Sequence, residues 1–509
     1  MSPAVGWVAV ALVSVVTLAI GAFGLRISRT TSDFYVASRS VGPLWNASAI
    51  GGEYLSAASF LGVAGLVLAF GADMLWFPVG FATGYLVLLV LVAAPLRRSG
   101  AYTIPDFAEA RLESPVVRRL ASGLVVVVGW LYLLPQLQGA GLTLGTVTGA
   151  PAWVGAVLVA AVVVLNVVSG GMRSITFVQA FQYWLKLTAL LVPAVVLVLV
   201  WRRDGSPSPA TAGPGWLLPL AGGDPTDLYL TYSLMVATFL GTMGLPHVLV
   251  RFYTNPDGRA ARRTTVIVLG LLAVFYLLPP VYGSLGRLYA PDLVARGRAD
   301  AIVLELPGRM LDGLGGDLLG ALVTAGAFAA FLSTSSGLTV SVAGALSQDV
   351  LTRLPLPRER RLGGVAAFRI AAVLALMVPL AIALSTQRLA VASSVGLAFA
   401  VAASTFCPLL VLGIWWRPLT DVGAVAGLLA GGLASGGAVV LVIAEPDRAG
   451  WLGALLAQPA AWTVPTAFAV MLAGSWLTPG RVAPGVDRTM VRLHAPEALD
   501  LDRGSWQPR

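Results

Sequence analysis

IGGEYLSAASFLGVAG, residues 50–65, decides the fold. It lies inside an apolar run from about residue 44 to residue 70, and about 20 apolar residues are enough to cross a bilayer. Near the middle of that run stand Gly51 and Gly52, then Glu53, Tyr54, Ser56 and Ser59. Adjacent glycines weaken a helix, and a charge at mid-bilayer costs several kcal/mol. A helix interrupted at that depth survives only where it is buried in protein or lines a wet cavity. The stretch therefore reads as one wall of a site for a small solute and an ion.

The rest of the chain fits that reading. It has 509 residues, 57% hydrophobic and 11% charged, with a mean hydropathy of +0.84. This is the composition of a polytopic membrane protein, all α-helical. The single cysteine, Cys407, sits in an apolar run, which excludes a disulfide framework and argues against a thiol metal cluster. The net charge of +9 does not indicate nucleic acid, because the arginines sit in short loops between apolar runs and report topology. Residues 5–27 read as a first span and not as a removed signal peptide, for no basic segment precedes them and no small-residue cleavage site follows.

Hydropathy predicts thirteen spans, at 5–27, 44–70, 74–96, 120–147, 152–169, 174–201, 227–253, 264–286, 316–349, 366–386, 389–415, 421–443 and 459–478. Two longer insertions remain, 202–226 and 287–315. The second is expected to be structured, through Leu293, Ile302, Leu304 and Leu306. The tail from about Gly480 is Pro-rich and charged, and is expected to be disordered. With the N-terminus outside, twenty-four arginines fall on the inner side, Arg97, Arg98, Arg111, Arg118 and Arg251 among them, and eight on the outer side. That bias favours an N-terminus outside and a cytoplasmic C-terminus.

Two further interruptions draw the argument together. Lys186, the only lysine, lies about the middle of span six, and Glu53 is the only acid near a midplane. An intramembrane ionisable residue is a functional candidate by default; the plainer reading is that the two neutralise each other or that Lys186 snorkels. Span seven contains Gly241-Thr242-Met243-Gly244-Leu245-Pro246-His247, where Gly and Pro free backbone groups from the helical ladder. Two broken helices, one early in each half, point to inverted repeats around a central site, spans two to six and seven to eleven. His247 reads first as a helix-end residue directed at a carbonyl, and second as a solute contact. In span nine, AAFLSTSS (329–336) places four hydroxyls near the midplane. They are either packing or, with carbonyls freed in span two, part of an oxygen cage for a hard cation such as Na+.

At this point the residues become familiar. DFYVASRS (33–40) with Gly42, GEYLSAASFLG (52–62), QGAG (138–141), GGM (170–172), GLPH (244–247) with Arg251, the span-nine hydroxyls and Gln348-Asp349 together resemble the sodium:solute symporter family over nearly the whole chain. Within it, the YLSAASFLG and GLPH…R strings are most similar to the cation/acetate symporters. The resemblance implies a leucine-transporter-type fold of ten core helices in two inverted repeats of five, with flanking spans. The divisions would be 1–43 (first span and loop), 44–201 (first repeat), 202–226 (outer loop), 227–415 (second repeat), 416–479 (two further spans) and 480–509 (tail). It implies alternating access in a cell membrane, with acetate or another short monocarboxylate imported alongside a cation, and no enzyme activity. Carried over by position, the Na+ site falls on the carbonyls of Gly52, Leu55 and Ala330 and the hydroxyls of Ser333 and Thr334. The solute site is expected from Glu53, Tyr54, Gln136, Thr242 and Lys186. Many sodium-coupled relatives carry an acid where this chain has Gln179, and acetate-type relatives often carry Asp where it has Glu53. Na+ and H+ both stand as coupling ions here. Proline, pantothenate or a larger monocarboxylate remain alternative solutes, and a sensor without transport is the rival of another class.

Overall fold

The computed structural model describes residues 2–24, 37, 41–209, 214–220, 224–353, 363–386, 391–445, 448–497 and 499. Among these every regular element is helical, apart from one isolated bridge between Thr420 and Val482. The DFYVASRS motif, Ala37 excepted, lies outside the described residues.

Helix α1 (Pro3–Gly24) leads to α2 (Pro43–Tyr54), α3 (Val63–Phe70), α4 (Trp76–Val87), α5 (Ala93–Arg98), α6 (Ile104–Leu112), α7 (Pro115–Thr148) and α8 (Ala152–Arg203). The second half runs through α9 (Pro225–Gly244), α10 (Pro246–Val250), α11 (Gly258–Tyr276), α12 (Pro279–Tyr289), α13 (Asp292–Ala295), α14 (Ile302–Met310) and α15 (Leu314–Ala345). Then come α16 (Gly364–Ser385), α17 (Val391–Trp415), α18 (Asp421–Ala444), α19 (Gly450–Ala457), α20 (Ala460–Leu477) and α21 (Val486–His494).

Eleven helical stretches among the described residues are long and apolar enough to cross a membrane. Two are long enough for two crossings: Ala58–Arg98 has 41 residues and Ala152–Arg203 has 52, where about 20 suffice for one. A glycine breaks each of them. Gly71 has φ +77° between α3 and α4, and Gly171 has φ 56° and ψ −155° inside α8. A side chain is strained in both conformations. With these two taken as double, the thirteen spans expected from hydropathy are all present.

The helix ends follow local chemistry. Pro115 opens α7 in the first turn, where its missing N–H costs nothing, and Gly149 closes it in the left-handed conformation. Thr103 and Asp106 form a reciprocal capping box on α6, and the Asp257 side chain caps α11. At the centre, α15 packs along α8 and α7, α2 lies between α8 and α11, and α9 packs against α4 and α17.

Three expectations change in the structure. Gly51 and Gly52 do not unwind the helix, which runs on through Tyr54. Their role is close approach: a β-carbon on Gly52 would lie 2.1 Å from the Gln179 carbonyl oxygen, and one on Gly51 would lie 2.8 Å from the Tyr183 ring. The tail is not featureless, since residues 486–494 form α21 with Leu493 buried. Arg111, Arg118 and Arg251, counted among loop arginines, are buried. The 287–315 insertion behaves as expected. It forms α13 and α14, and buries Leu293, Ile302, Leu304 and Leu306.

Candidate functional site

The first break falls at Leu55 (φ −72°, ψ 79°) and Ser56, between α2 and the π-turn Ala58–Gly62. Every backbone group freed there has a traceable partner, as buried groups must. The Ser56 amide turns back to the Tyr54 carbonyl at 2.8 Å, so Gly52 loses the amide that a continuing helix would give it. The Ala57 amide donates to Gln136 Oε1 at 3.2 Å instead of to Glu53. The Glu53 carbonyl accepts from Thr334 Oγ1 at 2.6 Å. The carbonyls of Gly52 and Leu55 both accept from Lys186 Nζ, the latter at 2.8 Å. Lys186 Nζ also donates to Ser333 Oγ at 2.7 Å, and Ser333 Oγ donates to the Ala330 carbonyl at 3.1 Å. The five residues expected around a cation thus lie together at the join of α2 and α15. Their donor set is hard oxygen, and the cation in contact with it is an ammonium.

The second break is at Leu245 (φ −74°, ψ 115°), between α9 and α10. Pro246 has no N–H, so the helical ladder ends there, and the residue before a proline favours the extended backbone seen at Leu245. Gly241 and Gly244 let α9 sit on α17, where added β-carbons would lie 2.5 Å and 2.2 Å from the carbonyl oxygens of Phe399 and Ala402.

The two breaks are joined by a buried ion pair that the sequence did not reveal. Arg251, just after α10, donates from Nε to Glu53 Oε2 at 2.7 Å and from Nη1 to Thr176 Oγ1 at 2.8 Å. Its Nη2 donates to Gln179 Oε1. Gln179 Nε2 in turn donates to the Ser333 carbonyl at 2.7 Å, which ties the pair to the oxygen cage. Gly337 makes room for Glu53, because a β-carbon there would lie 2.0 Å from Oε1. Glu53 therefore takes Arg251 as its ion-pair partner, and Lys186 turns to carbonyls. Arg251 had one visible signal: it sits a short step after the second break, as Glu53 sits a short step before the first.

Beside the breaks lies a packed cluster of aromatic rings. Tyr54 contacts the Tyr85 ring at 4.7 Å and the Phe81 ring at 6.0 Å between centroids. Tyr132 meets His247 at 5.2 Å and Phe399 at 5.9 Å, and Phe81 stacks on Tyr276 at 6.0 Å. Tyr54 and Thr242 join hydroxyl to hydroxyl at 2.9 Å across the two broken helices. Ser59 and Tyr276 do the same nearer one end. Gln136 Nε2, the Tyr85 hydroxyl and both ring nitrogens of His247 are buried without a hydrogen-bond partner among the described residues. His247 is therefore not directed at a carbonyl, contrary to its first reading. Buried unpaired polar groups are costly, and several gathered in one cluster are donors and acceptors that a polar ligand would satisfy.

At the opposite end from Tyr276, a charged web closes the bundle. Arg118 of α7 pairs with Asp106 at 2.8 Å, Glu109 at 2.6 Å and Asp349 at 2.5 Å, and Ser122 also donates to Asp349. Burial raises the Asp106 carboxyl above its usual range, although Arg118 draws it down. Arg111 caps the end of α17 by donating to the carbonyls of Gly413 (2.8 Å), Trp416 (3.1 Å) and Arg417 (3.0 Å), and burial lowers its guanidinium to about 10.

With this geometry in place, the comparisons carry weight. The sequence model of the sodium:solute symporter family matches residues 34–431. A symporter of Bacillus subtilis (strain 168), named YwcA and described as uncharacterized, is 33% identical over 482 residues, covering 91% of each chain. A Na+-coupled sialic acid symporter, solved substrate-bound and outward-open, superposes with a TM-score of 0.72 at 16% identity, over 94% of this chain and 98% of its own. That likeness gives the leucine-transporter-type fold. The chain belongs to the sodium:solute symporter family, multi-pass membrane transporters that couple the movement of a small solute to Na+.

Proposed function

We propose that this transporter imports acetate or another short monocarboxylate by alternating access, across the cell membrane and with its C-terminus in the cytoplasm. One observation carries the choice of an anion. The charged side chains at the breaks are Glu53, Arg251 and Lys186, all buried, and Lys186 Nζ faces three acceptor oxygens. Three acceptors match the three N–H groups of an ammonium. Two positive groups therefore stand against one negative, and a bound monocarboxylate balances the excess in a region where net charge is expensive.

The aromatic cluster between the breaks suits a small solute. Aromatic rings surround the position, while Gln136 Nε2 and the His247 ring offer donors to a carboxylate. In this reading Tyr54 and Thr242 clasp the two broken helices over the solute, and the Glu53–Arg251 pair holds their ends in register. Residues 44–201 and 227–415 act as two inverted repeats that rock about this centre. A cation held between α2 and α15 favours the state with a formed solute site, and its release inside loosens the inner gate.

Uptake of labelled acetate into proteoliposomes, challenged with excess pyruvate, propionate, proline or pantothenate, tests the choice of solute. The expected result is competition by the short monocarboxylates alone. No uptake of labelled acetate, or competition by proline or pantothenate with none by pyruvate or propionate, would overturn the reading. For the cage, Ser333→Ala with Thr334→Ala is expected to raise the cation concentration needed for half-maximal uptake roughly tenfold, equivalent to about 1.4 kcal/mol of binding. An unchanged dependence would remove the cage from the cation site.

A further inference from the structure

We propose that the ε-ammonium of Lys186 is a tethered cation that occupies the oxygen cage of Gly52, Leu55 and Ser333, so that Na+ reaches those oxygens only after this side chain has left. The inference rests on the reading of the cage as the coupling-cation site, and it does not depend on which solute is carried.

The lysine arises from α8, and its Nζ makes three contacts: the carbonyl oxygens of Gly52, before the break in α2, and of Leu55, at it, and the hydroxyl of Ser333 on α15. These are three of the five groups that position alone assigned to a metal ion. A fourth, Ala330 O, accepts from Ser333 Oγ, and the fifth, Thr334 Oγ1, is donated to the Glu53 carbonyl. The ammonium sits at the focus of the cage, at 2.7 Å and 2.8 Å from two of its oxygens. A metal ion coordinated by those same oxygens would have to stand where Nζ stands. Two unit positive charges cannot share that point, and attraction from Glu53 does not relieve the conflict, because its carboxylate is already paired with Arg251.

The arrangement also answers a structural problem. The break frees carbonyls in the buried centre of the bundle, and a buried carbonyl without a partner is costly. When Na+ has left, something must satisfy Gly52 O and Leu55 O. The lysine does so, and it keeps α2 joined to α15 in the ion-free carrier. Na+ binding then becomes an exchange of a free cation for a tethered one. The flexible four-carbon stem of lysine suits such an exchange, as the planar fork of arginine would not.

The test is Na+ binding to the purified full-length transporter, followed with radioactive sodium in the absence of any solute. Lys186→Met empties the cage, and its half-saturating Na+ concentration is expected to fall at least about tenfold below that of wild type. Lys186→Gln, which retains a polar side chain, provides the second variant should the first fold poorly, and the same direction is expected. Adding Ser333→Ala to either variant is expected to cancel the gain, which places the bound ion at this cage. Tighter Na+ binding in the lysine variants that vanishes with Ser333→Ala supports the proposal. Binding equal to or weaker than wild type in a folded variant overturns it. Because no solute is present, a wrong choice of solute leaves this result untouched.

Discussion

Arg251 shows how one side chain can be present in a sequence and still be misread. It stands at the very end of the span expected at 227–253, and an arginine there ordinarily marks the cytoplasmic edge of a span. Only in three dimensions does that edge prove to be a short turn folded back into the core, where the guanidinium meets Glu53, Thr176 and Gln179. The chemistry that was legible was the isolated one: a lone lysine and a lone acid at mid-span are conspicuous, whatever they contact. Their partners were not legible, because pairing depends on the rotation of α2, α8 and α10 about their axes, which hydropathy does not fix to better than a face. Arg251→Met is expected to leave the Glu53 carboxylate buried without its partner, a loss of ~3–5 kcal/mol. The thermal midpoint of the purified protein should fall accordingly, and adding Glu53→Gln should recover much of it. A single variant as stable as wild type would show that the pair is not what holds the two breaks together.

At the scale of elements, both broken helices were visible in advance, but the reason at the first was misassigned. Gly51 and Gly52 looked like helix breakers; they are contact residues that let α2 lie on α8, and the unwinding comes one turn later, where side chains and Lys186 take over the backbone bonds. Gly52→Ala should therefore push α2 off α8, with a destabilisation of ~1–3 kcal/mol typical of overpacking. Gly270→Ala on α11, where a β-carbon meets nothing, should be neutral or gain up to ~1 kcal/mol. Equal midpoints for the two variants would deny the close approach. The tail helix α21 was missed because its composition is charged, and its stability comes from docking. Glu497, in the turn after it, accepts from the Gly258 amide at 2.7 Å and pairs with Arg98 at 3.2 Å. Burial tends to raise the Glu497 carboxyl, but the Gly258 amide and Arg98 outweigh it and hold the group below its usual range. A lowered carboxyl stabilises docking above its unfolded value, and the benefit disappears as pH falls through the folded one. Glu497→Gln should expose the tail to protease at neutral pH, as strong acid should for wild type; an equally resistant variant would show that the tail is held elsewhere.

For the molecule as a whole, the crossing pattern was readable because apolar length is a local property, and the thirteen spans survive even where helices merge at Gly71 and Gly171. The closure of the site was not readable. Tyr54, Gln136, Lys186, Thr242 and His247 are all buried, with Tyr276 and Phe81 on one side and the Arg118 web on the other. Arg118 serves three carboxylates, so Arg118→Ala should unlatch that end and leave acids crowding each other. Because the raised Asp106 carboxyl favours the folded state most in acid, and loses that effect as pH rises through its shifted value, the variant should be less stable near neutrality than in mild acid, measured by thermal midpoint. A variant with no such pH dependence would place the latch elsewhere.

The central claim is that two helices broken inside the bundle form a site where a small carboxylate and a cation are carried together. Acetate uptake into proteoliposomes under an imposed inward Na+ gradient, compared between wild type and Gln136→Ala, tests it most directly. Gradient-driven accumulation by wild type, with at least about a tenfold loss in a folded Gln136→Ala, is the predicted result. Acetate accumulation by the variant at the wild-type rate would contradict the claim.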